Sequence, residues 1–124
     1  RKVILVAEDV ETNFKLLEAA LSKEYVLRWV PNGQEAVLSF VRERPDLILM
    51  DIRMPVMSGL EAARQIRAMS RTDAQTVPII AMTANAYEED VSQSLAAGMN
   101  AHLAKPIEPQ VILDTLAEYI GSKN

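Results

Sequence analysis

A chain of 124 residues with 49% hydrophobic and 24% charged side chains is long enough for one domain with a full core of its own. Its formal charge of −4 and pI near 5.0 exclude the clustered basic surface that direct nucleic-acid binding needs. The lack of cysteine rules out disulfides and thiolate metal sites and fits a reducing, cytoplasmic setting, and nothing approaches the roughly 18 apolar residues of a membrane span.

Taken in order, the chain alternates two kinds of pattern. Lys2-Val3-Ile4-Leu5-Val6-Ala7 is a continuous apolar run that stops at Glu8-Asp9, a strand buried on both faces. From Val10 to about Lys23 the apolar positions Phe14, Leu17 and Leu21 recur at helical spacing. Tyr25 to Val30 is rich in β-branched and aromatic residues and closes at Pro31-Asn32-Gly33, and its Arg28 marks it as an edge strand. Ala36, Val37, Phe40 and Val41 form a helix face that must end before Pro45. Leu47-Ile48-Leu49-Met50 is the central strand, ending abruptly at Asp51.

Ser58-Gly59 then opens a helix striped by Leu60, Ala63, Ile66 and Met69. Arg71 to Thr76 is polar and reads as a loop. Val77 to Met82 is the next buried strand, running into Thr83-Ala84-Asn85. Tyr87, Val91 and Leu95 stripe the following helix, with Gly98 suited to its C′ position. Ala101 to Ala104 is a short last strand before Lys105-Pro106, and Ile112, Leu116 and Ile120 face inward from a final helix that stops near Gly121. The six methionines read as packing residues. Because the chain starts at Arg1, we expect residues 1–124 to be a single domain cut from a longer protein.

Five strands alternating with five helices specify an α/β, doubly wound, flavodoxin-like (βα)5 fold with helices on both faces of a parallel sheet of order 2-1-3-4-5. That order puts the first and third strands side by side at the topological switch point, where ligands of such sheets bind. Glu8, Asp9, Asp51, Thr83 and Lys105, each just past a strand, then converge. Singly, each has an ordinary reading: the acidic pair as a helix cap, Asp51 as a turn residue, Lys105 as a solvated loop lysine. Together, three carboxylates require compensation. With only oxygen ligands on offer, namely Glu8, Asp9, Asp51 and a backbone carbonyl, a hard ion such as Mg²⁺ is favoured over zinc. An in-line carboxylate with positive charge on the transferred oxygens is what phosphoryl transfer requires, and Thr83 and Lys105 fit the remaining oxygens.

The pair Glu8-Asp9, the string DIRMPVMSG from Asp51 to Gly59, MTA from Met82 to Ala84 and AKPI from Ala104 to Ile107 resemble a response-regulator receiver domain of two-component signalling over essentially the whole chain. The resemblance implies that Asp51 accepts a phosphoryl group from a histidine-kinase phosphohistidine and that Glu8, Asp9, Asp51 and the carbonyl of Arg53 hold Mg²⁺. It implies that Thr83 turns toward the phosphoryl group, that Lys105 pairs with Asp51 or its phosphate, and that Lys105-Pro106 is cis. Such a domain catalyses only its own phosphorylation and dephosphorylation. Its Arg53 and Asn85 border the path of the hydrolytic water. His102 departs from the family's usual tyrosine or phenylalanine switch ring, though an imidazole is likewise flat and amphipathic.

Glu8 to Asn13, Thr83 to Asn85 and Ala97 to Ile107 look most like receivers attached to hybrid sensor histidine kinases, which pass phosphate on to a histidine phosphotransfer protein. Contact through the fourth helix, fifth strand and fifth helix, including homodimerisation, is a further expectation. Three rivals stand beside this reading. A flavin-binding relative needs a phosphate-cradling loop where this chain has acids, an aspartyl phosphatase needs a second acid where it has Arg53, and a receiver-like interaction module would signal without phosphorylation.

Overall fold

The computed structural model describes residues 1–84 and 88–121. Its five strands are β1 (Val3–Ala7), β2 (Val26–Val30), β3 (Leu47–Asp51), β4 (Ile79–Thr83) and β5 (Ala101–Ala104), all parallel in one sheet of order β2-β1-β3-β4-β5. This is the doubly wound arrangement expected from the alternation of elements. The continuous apolar runs explain the centre of the sheet: β3 and β4 are buried along their whole length. At the edge, Arg28 of β2 stays half exposed and pairs with Glu43 at 2.9 Å.

The helices are α1 (Glu11–Leu21), α2 (Gly33–Glu43), α3 (Gly59–Arg67), α4 (Thr72–Thr76), α5 (Glu88–Ala96) and α6 (Pro109–Ile120). Because side chains alternate along each strand, the core divides into two layers. On one face Leu5, Ala7, Ile48, Met50, Ile79 and Ala81 pack on Ala36 and Phe40 of α2 and on Ala62, Ala63 and Ile66 of α3. On the other, Ile4, Val6, Leu47, Leu49, Ile80 and Met82 meet Leu17 and Leu21 of α1 and Ile112 and Leu116 of α6. The methionines are buried or packed against this core. Local chemistry sets helix ends: Asn32 and Ser58 accept the backbone N–H groups of Glu35 and Glu61, and Gly98 adopts a φ of +98° after α5.

Two expectations need correction. The stretch read as a loop from Arg71 holds a sixth helix, α4, so the elements expected as fourth and fifth helices are α5 and α6. Arg71 grips Asp73 at 2.7 and 3.0 Å, lies over the Phe40 ring at 5.0 Å, and the turn buries Ala74. One apolar anchor in five residues leaves no periodicity to read. The second correction concerns α5. Its buried stripe is Asp90, Ser94 and then Ala97, whereas Leu95 is exposed, and Tyr87 lies outside the described residues. The inward polar groups have partners, with Ser94 donating to the Val91 carbonyl at 2.9 Å, so apolar spacing misplaced Leu95 while Val91 is half-buried beside the polar stripe. Smaller differences are that Val41 is exposed on α2, and that Asp51 and Thr83 close β3 and β4 rather than following them.

Register carries the fold to the site. Ala7 pairs with Met50, Asp51 with Met82, and Thr83 with Ala104, so Glu8, Asp51 and Lys105 emerge at one level. The loop after β3 is folded tightly onto that level. Gly59 N–H donates to the Ile52 carbonyl at 2.9 Å, and a Cβ on Gly59 would collide with the Asp51 carbonyl oxygen and come within 2.8 Å of Met50 Cγ. Gly59→Ala is therefore expected to lower stability by about 3 kcal/mol in urea denaturation, the upper end of ordinary overpacking, because backbone rather than a flexible side chain must yield.

Candidate functional site

The strand order reverses at β1 and β3, and the acids gather there. Glu8 is 1% exposed. Its backbone is tied to the edge strand, N–H donating to Val30 O at 3.0 Å and carbonyl accepting the Trp29 indole N–H at 2.8 Å. The Trp29 ring stacks on Phe14 of α1 with centroids 5.2 Å apart. The Glu8 side chain turns inward. Its Oε2 accepts from Val10 N–H at 3.1 Å and from the Asn13 amide at 3.4 Å, so it does serve the start of α1, the ordinary role considered for an acid here. Its Oε1 does something else.

Glu8 Oε1 lies 2.9 Å from Lys105 Nζ but out of line for a hydrogen bond, a buried oxygen without a donor. Lys105 donates instead to Asp51 Oδ2 at 2.8 Å. Asp51 is 6% exposed, and its Oδ1 accepts from Arg53 N–H at 3.3 Å. Asp9 is exposed beside them. One carboxylate oxygen from each of Glu8, Asp9 and Asp51 fits within 4.8 Å of the others. Three carboxyl groups gather against one ammonium, and one buried oxygen among them, Glu8 Oε1, has no hydrogen-bond donor. The donor set is wholly oxygen, with its exposed member open to water, which is the chemistry that suits a hard, partly hydrated divalent ion.

Lys105 is placed by its neighbours: its N–H donates to Thr83 O at 2.8 Å, and the Lys105-Pro106 peptide is cis. Burial alone would lower its pKa. The hydrogen bond to Asp51 and the charges of Asp51 and Glu8 outweigh that and hold the ammonium above its usual range. Thr83, 2% exposed, donates its hydroxyl to Asp90 Oδ2 at 3.1 Å. Arg53 reaches the same residue, its guanidinium 3.5 Å from Asp90 Oδ1. Asp90 was not singled out in the sequence, and the signal was its place on the same α5 face as Ser94 and Ala97. His102 is exposed on β5, paired with Ala81 and away from the acids. Asn85 lies outside the described residues. An apolar groove lined by Leu16, Leu17 and Ala20 of α1 and by Pro106, Ile107 and Ile112 opens beside Glu8 and Lys105.

Residues 4–117 match the family described as response regulator receiver domain. The hybrid signal transduction histidine kinase I of Dictyostelium discoideum is 37% identical, the alignment covering 91% of this chain but 7% of that protein. Among solved structures, the receiver domain of sensor histidine kinase PA1611 from Pseudomonas aeruginosa PAO1, with a magnesium ion coordinated in the active site cleft, is 43% identical over 98% of both chains with a TM-score of 0.88. The receiver domain of Ssk1, in co-crystals with the Saccharomyces cerevisiae histidine phosphotransfer protein Ypd1, is 31% identical with a TM-score of 0.86, covering 96% of this chain and 88% of that one.

The raised Lys105 value sets a pH dependence. With the folded pKa above the ordinary 10.5, the ion-pair contribution is complete below that pH and is lost as pH climbs through the folded value. Lys105→Met is expected to lose about 2 kcal/mol at neutral pH, less than a fully buried pair because the lysine side chain is 22% exposed. Urea titrations carried into the alkaline range should show the wild type converging on the variant.

Proposed function

The chain belongs to the response regulator receiver domains, the receivers of two-component signalling, and on that premise we propose that Asp51 is its phosphoacceptor and that the donor is a phosphohistidine on a histidine kinase or histidine phosphotransfer protein. The observation that carries this reading is Lys105 bridging two buried acids at 2.8 and 2.9 Å, which presents Asp51 as a carboxylate beside a fixed cation. An Asp51 oxygen forms the new P–O bond as the P–N bond of the donor breaks, and the imidazole leaves with the electron pair. Lys105 follows the charge onto a phosphoryl oxygen, and Thr83 donates its hydroxyl to another. Glu8, Asp9, Asp51 and the carbonyl of Arg53 would hold Mg²⁺, which when bound would supply positive charge to the transferring oxygens.

The donor protein rests on the apolar groove beside Glu8 and Lys105, where Leu16 is 71% exposed. The phosphotransfer protein bound to the Ssk1 receiver supports a partner of that class. The readout is a shift of α5, β5 and α6, with His102 in place of the usual ring and Leu95 offering apolar surface for self-association. Whether the domain relays within a hybrid kinase or acts as a diffusible regulator, its setting is cytoplasmic. Among the described residues no helix is long and apolar enough to cross a membrane.

Incubation with acetyl phosphate and Mg²⁺ should add one phosphoryl group by intact mass, lost in Asp51→Asn and on chelating the metal. No adduct on the wild type would instead favour an interaction module that is never phosphorylated. Leu16→Glu should slow transfer from a phosphorylated phosphotransfer protein roughly tenfold or more, as burying a charge in an apolar contact does, while labelling by acetyl phosphate stays at the wild-type rate.

A further inference from the structure

Phosphoryl transfer to Asp51 asks the Thr83 hydroxyl for a hydrogen bond that the resting chain has already committed. That hydroxyl donates to Asp90 Oδ2 at 3.1 Å, and a hydroxyl has one hydrogen to give. Asp90 sits in the first turn of α5 with its side chain 11% exposed. Its other oxygen faces the Arg53 guanidinium at 3.5 Å, and Arg53 in turn gives its backbone N–H to Asp51. One buried carboxylate on α5 thus gathers side chains from the ends of β3, which carries the reacting position, and of its neighbour β4.

We propose that Asp90 is a positioning residue that holds the Thr83 hydroxyl away from Asp51 in the resting state, so that phosphorylation must compete with it before α5 responds. The inference rests on Asp51 being the phosphoacceptor. When Thr83 turns to the phosphoryl group, the Asp90 oxygen it leaves has lost a donor, which a buried carboxylate does not tolerate. Either Arg53 takes over that oxygen or the first turn of α5 moves toward solvent. In the first case an event at Asp51 becomes a new contact between Arg53 and α5, and in the second a displacement of α5.

The test uses the full chain with Mg²⁺ and beryllofluoride, a mimic of an aspartyl phosphate, followed by amide NMR titration. Asp90→Ala should tighten beryllofluoride binding about fivefold, the worth of one net hydrogen bond. Asp90→Asn, which keeps an oxygen but not its charge, should tighten it less. Both gains should vanish in a Thr83→Val background, because the competition runs through the hydroxyl. Unchanged or weaker binding in Asp90→Ala, or an equal gain with and without the hydroxyl, overturns the proposal. Should Asp90→Ala not fold, the near-isosteric Asp90→Asn carries the same cycle to the same decision. A wild type that binds no beryllofluoride would overturn the phosphoacceptor reading itself, and this inference with it.

Discussion

One ammonium between two buried carboxylates is the contact on which the rest of this molecule depends. Lys105 lies 2.8 Å from Asp51 and 2.9 Å from Glu8, and no two of these residues come from the same strand end. Glu8 is fixed by β1 and by the backbone of β2, Asp51 by β3, and Lys105 by its bond to the carbonyl at the end of β4. The bridge therefore exists only if the strands are in the observed order and register. A buried ion pair is weak evidence for stability, since desolvation offsets most of its attraction. Its role here is to hold two acids together in a place where they would otherwise repel.

The rest of the site is held in two different ways, and the difference has a direction. Toward α1 and the sheet edge, the acids are tied by backbone hydrogen bonds and a tight glycine contact at the β3–α3 loop. Those groups cannot exchange partners without dismantling the sheet. Toward α5, the ties are side chain to side chain, Thr83 and Arg53 meeting Asp90. Such contacts can be traded one for another with less strain than backbone bonds of the sheet.

Most of this architecture was legible from the chain because parallel strands buried on both faces write themselves as unbroken apolar runs, and their ends at Glu8, Asp51, Thr83 and Lys105 are abrupt. The failures have two causes, that apolar periodicity cannot see polar groups that face inward and that it needs more than one turn to register. It assigned α5 a stripe through Val91 and Leu95, while the buried line runs through Asp90 and Ser94, each satisfied by a partner distant from the helix pattern or within its own turn. It passed over α4 because a helix of five residues with one apolar side chain has no period. The face that Asp90 shares with Ser94 and Ala97 was the one trace of it in the chain, and its partners give that face its meaning.

The edge strand adds one property of a different kind. Trp29 is the only tryptophan in the chain, and its indole is hydrogen-bonded at 2.8 Å to the carbonyl of Glu8, the residue whose carboxylate faces the bridging ammonium. The lone indole of the chain therefore sits one hydrogen bond away from the backbone of the acidic cluster.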